Sequence, residues 1–530
     1  MMVGINGYSV EPVFTVGEQI GPYTPPGILD GMGAYKKDSS TIRLLANHEL
    51  LHFRGYPYKI EDGTGDAFTL TGARISFFDF DRVTKQLIRS GPAYTEVYDA
   101  NGNLATDPSF LANNLSGFSR FCAANLEEAN RFGFIFAPRG IEDTIFFTNE
   151  EDGGNFNPVG GAYWALDVSK DELWHVPAFG RGAWESCTQL DTGREDMVAF
   201  LLADDSSPFD ADDDSVNEAA PLYLYVGYKF SQGNFLQRNG LAHGDLYVFV
   251  ANDGSTSPLD FRGQGTLKGR WKLIDNFPNG TPSEDGSTGF DEYGYPTQRT
   301  LWTRAEDLGA FGFSRPEDCS TFPWMPNIAV LASTGVDTYA VDTQTGDGVD
   351  TFGTIYTVHT NFSNMKVDLT ILYDGDADPD RKLRSPDNLD WADDGFIYIQ
   401  EDEAEEDTLA TLEPLFGPGA VNPNEAGIVR MDWMFGDVIR VANIDRSVVL
   451  DPTISNPTDA VDVDAGFAGE WESSGFVDVS LLFGESRGTL FLLNVQAHGI
   501  EDQDQFNPDS RINDSDLVEG GQLLFMSFGK

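Results

Sequence analysis

The chain has 530 residues, of which 34 are Lys or Arg and 85 are Asp or Glu, and its formal net charge is −51. A charge of this sign repels nucleic acid and anionic membranes, so neither is expected as a partner, and we expect a monomer. No apolar run approaches the roughly 20 residues of a membrane span. Much of the charge is expected to solvate the surface, and the remainder forms clusters that suit a hard cation.

Short aromatic-rich segments with alternating polarity follow glycine along the chain and predict strands rather than long helices. Clear examples, in chain order, are residues 161–167, 244–250, 353–358, 395–399 and 488–493. The repeat has no fixed period, but roughly two or three strands per fifty residues is typical of propeller blades. We predict an all-β propeller, with two packed sandwiches as the alternative.

Polar or acidic loops interrupt the strand pattern, and none of them is long or featureless enough to mark a domain boundary. They cover residues 204–218, 279–286, 374–380 and 401–407. We therefore predict one propeller domain over residues 1–530, in which the first 40 residues or so pack against or close the rest.

Asn47-His48-Glu49 is the first motif with chemical content. His48, Glu49 and His52 match the H-E-x-x-H pattern of zinc proteases, but the longer pattern of that class places a third histidine where this chain has Tyr58. The zinc protease is therefore the least favoured alternative. We predict instead that Glu49 is a metal-binding carboxylate at the end of a strand, with Asn47 as a polar support or substrate contact.

Three cysteines, Cys122, Cys187 and Cys319, cannot all pair within one chain. Cys122 is either a small buried hydrophobic residue or a metal ligand. The next predicted strand ends in Glu150-Glu151, and both carboxylates are candidate metal ligands.

Further acidic residues follow predicted strands. Glu185 comes after an aromatic residue, and the strand at 197–203 runs into Asp204-Asp205, a pair that suits calcium or simply caps a loop. Asp387 and Glu401 are the last calcium candidates, although a turn is the plain interpretation of Asp387.

Arg315-Pro316-Glu317 combines a guanidinium with a carboxylate around a proline that disfavours a helix. In an extended segment, residues two apart share a face, so Arg315 and Glu317 are expected to line one pocket. The planar fork of arginine suits a phosphate group. A local surface ion pair is the alternative.

Taken in order, these motifs resemble the PhoX family of secreted bacterial alkaline phosphatases over roughly residues 40–500. The resemblance is carried by Asn-His-Glu at 47–49, the lone Cys122, Glu-Glu at 150–151, Arg-Pro-Glu at 315–317, Ser-Pro-Asp-Asn-Leu at 385–389 and Asn-Val-Gln-Ala-His at 494–498. Its strength lies in the order of the motifs rather than in any single one.

The resemblance implies a six-bladed propeller with decorated loops and a central site that holds two iron ions and calcium. It implies that Arg315 holds the substrate phosphate of a small phosphate ester. The implied metal ligands are Glu49, Cys122, Glu151, Glu185 and Glu317, with Asp204, Asp205, Asp387 and Glu401 as weaker calcium candidates and Glu150 as the alternative to Glu151.

The chain departs from the family pattern in three places. The segment that follows Cys122 is not glycine-rich, Trp184 stands where the family usually has histidine, and the twin-arginine export leader is absent. Secretion or a periplasmic location is thus an expectation from the family alone.

Two further interpretations come from other classes of protein. A calcium-dependent propeller esterase or lactonase would use many of the same carboxylates but would have little need of Cys122 or Arg315. A non-catalytic, calcium-stabilised propeller that binds partners would need neither.

Overall fold

A computed structural model describes residues 1–112, 115–134, 136–154, 156–336, 339, 348–402, 414–450, 461–501, 511–513 and 515–529. The acidic loop predicted at 401–407 lies outside the described residues from position 403 onward. The helices of the described part are short: α1 (Phe235–Arg238), α2 (Gln298–Asp307), α3 (Ser447–Leu450) and α4 (Ser480–Phe483), with single 3-10 turns at Pro108–Phe110 and Pro177–Phe179. No described helix is both long enough and apolar enough to span a bilayer.

Strands dominate the described residues. The first are β1 (Met2–Gly4), β2 (Tyr8–Thr15), β3 (Leu29–Lys36), β4 (Thr41–His48), β5 (Tyr58–Glu61), β6 (Ala67–Gly72), β7 (Arg74–Asp81), β8 (Leu87–Pro92), β9 (Glu96–Tyr98), β10 (Gly117–Phe118), β11 (Asn125–Glu127) and β12 (Phe132–Phe134). The next are β13 (Ala137–Arg139), β14 (Ile145–Asn149), β15 (Tyr163–Asp167), β16 (Glu172–His175), β17 (Trp184–Leu190), β18 (Met197–Asp204), β19 (Tyr223–Tyr228), β20 (Gly244–Ala251), β21 (Gly265–Ile274), β22 (Pro316–Thr321), β23 (Ile328–Ser333) and β24 (Thr354–Asn361). The last are β25 (Lys366–Asp374), β26 (Pro386–Trp391), β27 (Ile397–Glu401), β28 (Gly427–Met431), β29 (Val438–Ile444), β30 (Val461–Asp462), β31 (Trp471–Glu472), β32 (Phe476–Asp478), β33 (Leu490–Ala497), β34 (Ile500–Glu501) and β35 (Gly520–Phe528).

Most of these strands form six groups, which we number as blades 1 to 6 along the chain. The blades are β3-β4-β7-β8, β11-β14-β15-β16 with β9, β17 to β21, β22 to β25, β26 to β29 with β1, and β31 and β32 with β33, β35 and β2. Neighbouring strands within a blade run antiparallel, except that β9 joins β16 in parallel. The outer strands β21 and β25 also pair, which joins blades 3 and 4 into one nine-stranded sheet.

The first strands of the six blades form a closed ring. β3 contacts β11, β11 contacts β17, β17 contacts β22, β22 contacts β26, β26 contacts β32, and β32 contacts β3 again. A ring of radially arranged antiparallel sheets is a β-propeller, so the predicted all-β, six-bladed propeller is confirmed.

The hydrophobic core lies between the blades rather than at the centre of the ring. Each of six buried apolar clusters draws its residues from two neighbouring blades. Between blades 2 and 3, for example, the rings of Phe147 and Phe200 lie 5.0 Å apart. Because apolar packing is satisfied between the sheets, the first strands can present polar side chains along the central axis.

The two strands nearest the N-terminus, β1 and β2, complete the last two blades. β1 pairs with β29 and β2 pairs with β35, so residues at the beginning of the sequence add edge strands to sheets built mainly from residues after position 386. These added strands connect the two ends of the chain by main-chain hydrogen bonds, and they leave fewer unpaired sheet edges.

Candidate metal centre

A cavity of about 320 Å³ lies at one end of the ring of first strands. Every described residue that lines it carries an ionisable side chain. The lining consists of ten carboxylates, one thiol, two guanidiniums and one imidazole: Asp30, Glu49, Glu151, Glu185, Asp205, Glu317, Asp387, Asp402, Glu470, Glu472, Cys122, Arg120, Arg315 and His498. Such an excess of anionic groups in a small volume requires compensation by protons or bound cations.

The blade repeat explains how residues so far apart in sequence meet. In five blades, one lining residue stands within a few residues of the start of the first strand, and another stands one or two residues after the end of the second. Because these two strands are antiparallel, both points lie at the same end of the blade. The pairs are Asp30 with Glu49, Cys122 with Glu151, Glu185 with Asp205, Asp387 with Asp402, and Glu472 with His498.

A β-bulge accompanies the lining carboxylates of four first strands. In β3, β17, β22 and β26, the first strand carries one more residue than its partner between two successive pairings. The extra residue lies in the stretch that holds the carboxylate, for example Glu185 between Trp184 and Ser186. Since a bulge bends the strand and changes the direction of its side chains, it aims these carboxylates along the axis of the ring.

Left-handed backbone recurs beside the same positions. Ile28, Arg120, Arg315 and Ser385 have φ between 44° and 60°, and each stands two residues before a lining side chain. A non-glycine residue in this region costs of order 1–3 kcal/mol and persists only where its surroundings hold it there. The recurrence in four blades indicates that the turn into the first strand is built to place the side chain that follows.

Cys122 lies among the carboxylates that line the cavity. Its thiol donates to Glu185 Oε1 over 3.2 Å, and the Ala123 amide donates to the same oxygen. Burial, together with the nearby Asp30 and Glu185 carboxylates, raises the pKa of the Cys122 thiol well above its usual range. A cation beside the sulfur would reverse this effect, because metal coordination deprotonates a thiol outright.

The potential ligand atoms form four groups, each with its atoms within 4.8 Å of one another. The groups share members, so that Cys122, Glu185 and Asp387 each belong to two of them. They are Asp30-Glu49-Cys122, Cys122-Glu151-Glu185, Glu185-Glu317-Asp387 and Asp387-Asp402-Glu472. A continuous series of shared ligands is what a cluster of several metal ions requires.

Buried oxygen atoms without partners show that the residues fit cations. Glu185 Oε2 and Asp30 Oδ1 are shielded from solvent and accept no hydrogen bond from the described residues. Burial, and then neighbouring carboxylates, raises the pKa of both Asp30 and Glu185 well above the ordinary range. The donor set, one thiol among many carboxylates, suits a transition metal at the sulfur and calcium at the oxygens.

Two arginines border the cavity and pair with its carboxylates. Arg315 donates from Nε and Nη2 to the two oxygens of Asp205, each over 2.7 Å, and Nη2 lies 3.2 Å from Glu317 Oε1. Although burial opposes it, the Arg315 guanidinium holds the pKa of Asp205 below its ordinary value. Arg315 is thus fixed in orientation while its side chain remains at the cavity surface.

Arg120 is the second guanidinium. Its Nη2 lies 2.9 Å from Glu49 Oε1 and also contacts Glu151, and its side chain is 39% exposed. Arg120 belongs to no sequence motif and was therefore not predicted. Its position makes it a second candidate for binding an anionic group at the mouth of the cavity.

Four of the predicted site residues do not line the cavity, and each has partners elsewhere. Glu150 accepts from the Ser119 amide and from the indole of Trp164. Asn47, which is fully buried, donates to the Cys122 carbonyl over 2.6 Å and accepts from the Thr148 hydroxyl.

Asp204 and Glu401 occupy similar buried positions. Asp204 accepts from Gln298 over 2.8 Å and from the indole of Trp302 over 2.9 Å. Glu401 lies between two arginines, 3.1 Å from Arg384 Nε and 2.6 Å from Arg440 Nη2. These carboxylates hold the walls of the cavity, while Glu151, Asp205 and Asp402 beside them face inward.

Sequence reasoning missed six lining residues: Asp30, Arg120, Asp402, Glu470, Glu472 and His498. Most of them repeat a position that the predicted residues already marked, at the start of a first strand or the end of a second strand. Asp402 follows Glu401 directly, and His498 follows β33 as Glu49 follows β4. Alignment of the blades with one another would have found them.

The zinc-protease motif has a different environment from the one its chemistry needs. His48 is the last residue of strand β4, is fully buried, and contacts the Gly27 carbonyl at 3.0 Å and the Ser76 hydroxyl at 2.7 Å. His52 lies 3.1 Å from the Ser116 hydroxyl. The helix that would place the two imidazoles on one face does not form here, so the zinc-protease interpretation loses its structural basis.

The fold and the cavity define a six-bladed β-propeller with a carboxylate-rich central chamber. No family model matches the chain, and the search among curated proteins found no match. Among solved structures, the chain is similar to PhoX of Pseudomonas fluorescens in complex with vanadate, a transition state analogue, with a TM-score of 0.61 and 14% sequence identity over 100% of this chain and 96% of that one. The likeness in fold agrees with the resemblance to the PhoX family in the sequence motifs.

Proposed function

We propose that this protein is a metal-dependent phosphatase, similar to the PhoX alkaline phosphatases, that hydrolyses small phosphate esters in the central cavity. One observation carries the proposal: a thiol and a series of shared carboxylates lie beside two arginines, at the centre of a fold shared with a protein that binds a vanadate transition state analogue. The identity of the preferred ester is a matter for substrate screening.

Iron and calcium are the cofactors that this donor set favours. Cys122 and the carboxylates that share a group with it, Asp30, Glu49, Glu151 and Glu185, would hold iron. Glu317, Asp387, Asp402 and Glu472 offer only oxygen and would hold calcium. When bound, such cations polarise the phosphoryl oxygens and provide an activated water at neutral pH.

Arg315 would act on the phosphoryl group. Asp205 and Glu317 fix its guanidinium at the cavity surface, so little reorganisation is needed when the negative charge develops on the equatorial oxygens. A phosphate would compete with these two carboxylates for the guanidinium N–H groups, and its two negative charges favour the exchange once cations neutralise the carboxylates.

Arg120 would assist from blade 2, whereas Arg315 stands at the start of blade 4. Its contacts with Glu49 and Glu151 place a second positive charge next to two potential iron ligands. Two guanidiniums that approach one phosphate from different blades would hold it in a defined orientation.

The likeness to the PhoX enzymes also supports a location. We propose a secreted or periplasmic protein that releases phosphate from esters outside the cytoplasm and so serves phosphate acquisition. A net charge of −51 suits such a setting at high ionic strength, where a Debye length of about 3 Å at 1 M salt screens repulsion of an anionic substrate.

Elemental analysis separates this proposal from its rivals. Protein purified without chelators or a metal-affinity tag is expected to contain iron near stoichiometry together with calcium, because both thiol and oxygen donors are present. Calcium without iron would favour the lactonase or the non-catalytic propeller. Zinc alone would contradict all three.

A further inference from the structure

A second group of potential cation ligands lies outside the central cavity, in the loop after β18. Ligand atoms of Asp210, Asp212 and Glu218 lie within 4.8 Å of one another, and none of these residues lines the chamber. The loop is closed at its base, where Phe209 and Glu218 form a β-bridge with hydrogen bonds in both directions.

Glu218 has a buried oxygen that nothing in the described structure satisfies. The residue is only 5% exposed, and its Oε1 atom is shielded from solvent without a hydrogen-bond partner. The other oxygen accepts from the Ala211 amide, which turns the carboxylate into the loop. An unpartnered buried carboxylate oxygen destabilises the fold, and a bound cation removes this cost.

The sequence of the loop has the spacing of a calcium-binding loop. Asp210, Asp212, Asp214 and Glu218 stand at relative positions 1, 3, 5 and 9, which are ligand positions of the EF-hand loop. The sixth position of that loop requires a sharp turn, and here Ser215 adopts φ of 74°. Position 7, which supplies a main-chain carbonyl in EF-hands, is Val216.

The charged groups around the loop add to its negative field. Burial, and then Glu218, Asp214 and Asp212, raises the pKa of Glu306, which lies on α2. Arg299, a positive group on the same helix, donates from Nη1 to the main-chain carbonyl of Asp210 over 3.0 Å.

We propose that the loop at 210–218 binds a calcium ion through Asp210, Asp212 and Glu218, with Asp214 and the Val216 carbonyl as the next ligands. Calcium rather than magnesium is favoured, because several carboxylates and a carbonyl on one irregular loop match its flexible coordination by six to eight oxygens. This site is independent of the central cavity and of the proposed phosphatase activity.

The calcium ion would fasten the loop onto α2. Phe209 stacks on Trp302 at 4.5 Å, and Trp302 and Gln298 of the same helix bond to Asp204. Asp205, the next residue, holds Arg315. The loop therefore lies next to the segment that orients the cavity arginine, and its role is structural.

The test is equilibrium dialysis of the full chain at about 1 mM free calcium, the range of weak extracellular sites, followed by elemental analysis. The double variant Asp210→Asn, Asp212→Asn is expected to bind one calcium ion fewer per chain than the wild type, with unchanged iron. Glu218→Gln keeps the size of the side chain and its acceptor for Ala211, and it should show the same loss even if the double variant does not fold.

The matched control is Asp253→Asn, Asp285→Asn, which removes two exposed turn aspartates that belong to no ligand group. It should bind as much calcium as the wild type. Equal calcium in the wild type and in Glu218→Gln would overturn the proposal, and so would an equal loss in the control. A loss of iron or of phosphatase activity would report on the central cavity. It can be distinguished from a loss of calcium at the loop 210–218.

Discussion

Replacement of Cys122 with serine is expected to remove most of the iron from the chain and to lower phosphatase turnover by more than about 100-fold. Loss of an outer partner of a metal ligand already costs roughly 10- to 100-fold in affinity or activity, and Cys122 would be a ligand itself. Its sulfur belongs to two of the four ligand groups, so its removal would disturb the metal ions on both sides. Iron content and the rate of phosphate release measure the effect.

The other two cysteines provide the control. Cys187 and Cys319 are as buried as Cys122 but lie in apolar clusters between blades. In Cys319→Ser the new hydroxyl can still face the Leu201 carbonyl, which is an acceptor of the present thiol. Normal iron and normal phosphate release in Cys122→Ser would exclude the sulfur from the metal centre.

Replacement of Arg315 with alanine is expected to cost on the order of 2–4 kcal/mol of transition-state stabilisation, by analogy with other charged groups that stabilise developing oxyanions. This corresponds to a fall of roughly 30- to 1000-fold in kcat/KM for a phosphate monoester. Most of the loss should appear in kcat, because the charge on the equatorial oxygens changes during the reaction. Lysine at the same position should recover only part of it, since a single ammonium cannot form a planar fork.

Arg139→Ala is the matched control, because Arg139 makes the same two-bond pair with a carboxylate outside the cavity. Its Nε and Nη2 lie 2.8 Å and 2.7 Å from the oxygens of Asp191. The control should retain wild-type kinetics. Wild-type kinetics in Arg315→Ala as well would remove Arg315 from the proposed mechanism.

The all-β fold could be predicted from the sequence because the pattern that indicates strands lies within short segments. Alternation of polar and apolar residues and frequent turns predict short strands, and segments such as 244–250 and 353–358 lie within or overlap observed strands. The number of blades is not local information. It depends on which strands become neighbours in the ring, and it came from the resemblance to a known family rather than from periodicity.

The site residues could be predicted only in part from the sequence, and pairs of adjacent acidic residues show why. Glu150-Glu151, Asp204-Asp205 and Glu401-Asp402 each stand at or directly after the end of the second strand of a blade, and in each pair the second residue lines the cavity. Adjacent residues of a strand point to opposite sides, so one member of each pair must face away. The sequence marks the pair but does not show which side faces the axis, and for the last pair Glu401 was selected instead of Asp402.

The starts of the first strands were harder to recognise. Asp30 and Glu472 belong to no motif, and the bulge that aims Asp30 shifts the side-chain alternation by one residue. A regular strand pattern would place such residues on the wrong face. The repeat became visible only when the blades could be compared at equivalent positions.

The most direct test of the central claim is the release of inorganic phosphate from p-nitrophenyl phosphate by the wild-type protein, loaded with iron and calcium. We expect continuous turnover that stops when a chelator is added and returns when both metals are restored. A protein that contains both metals and releases no phosphate from this or any other monoester would contradict the proposed function, while leaving the propeller and its acidic chamber as described.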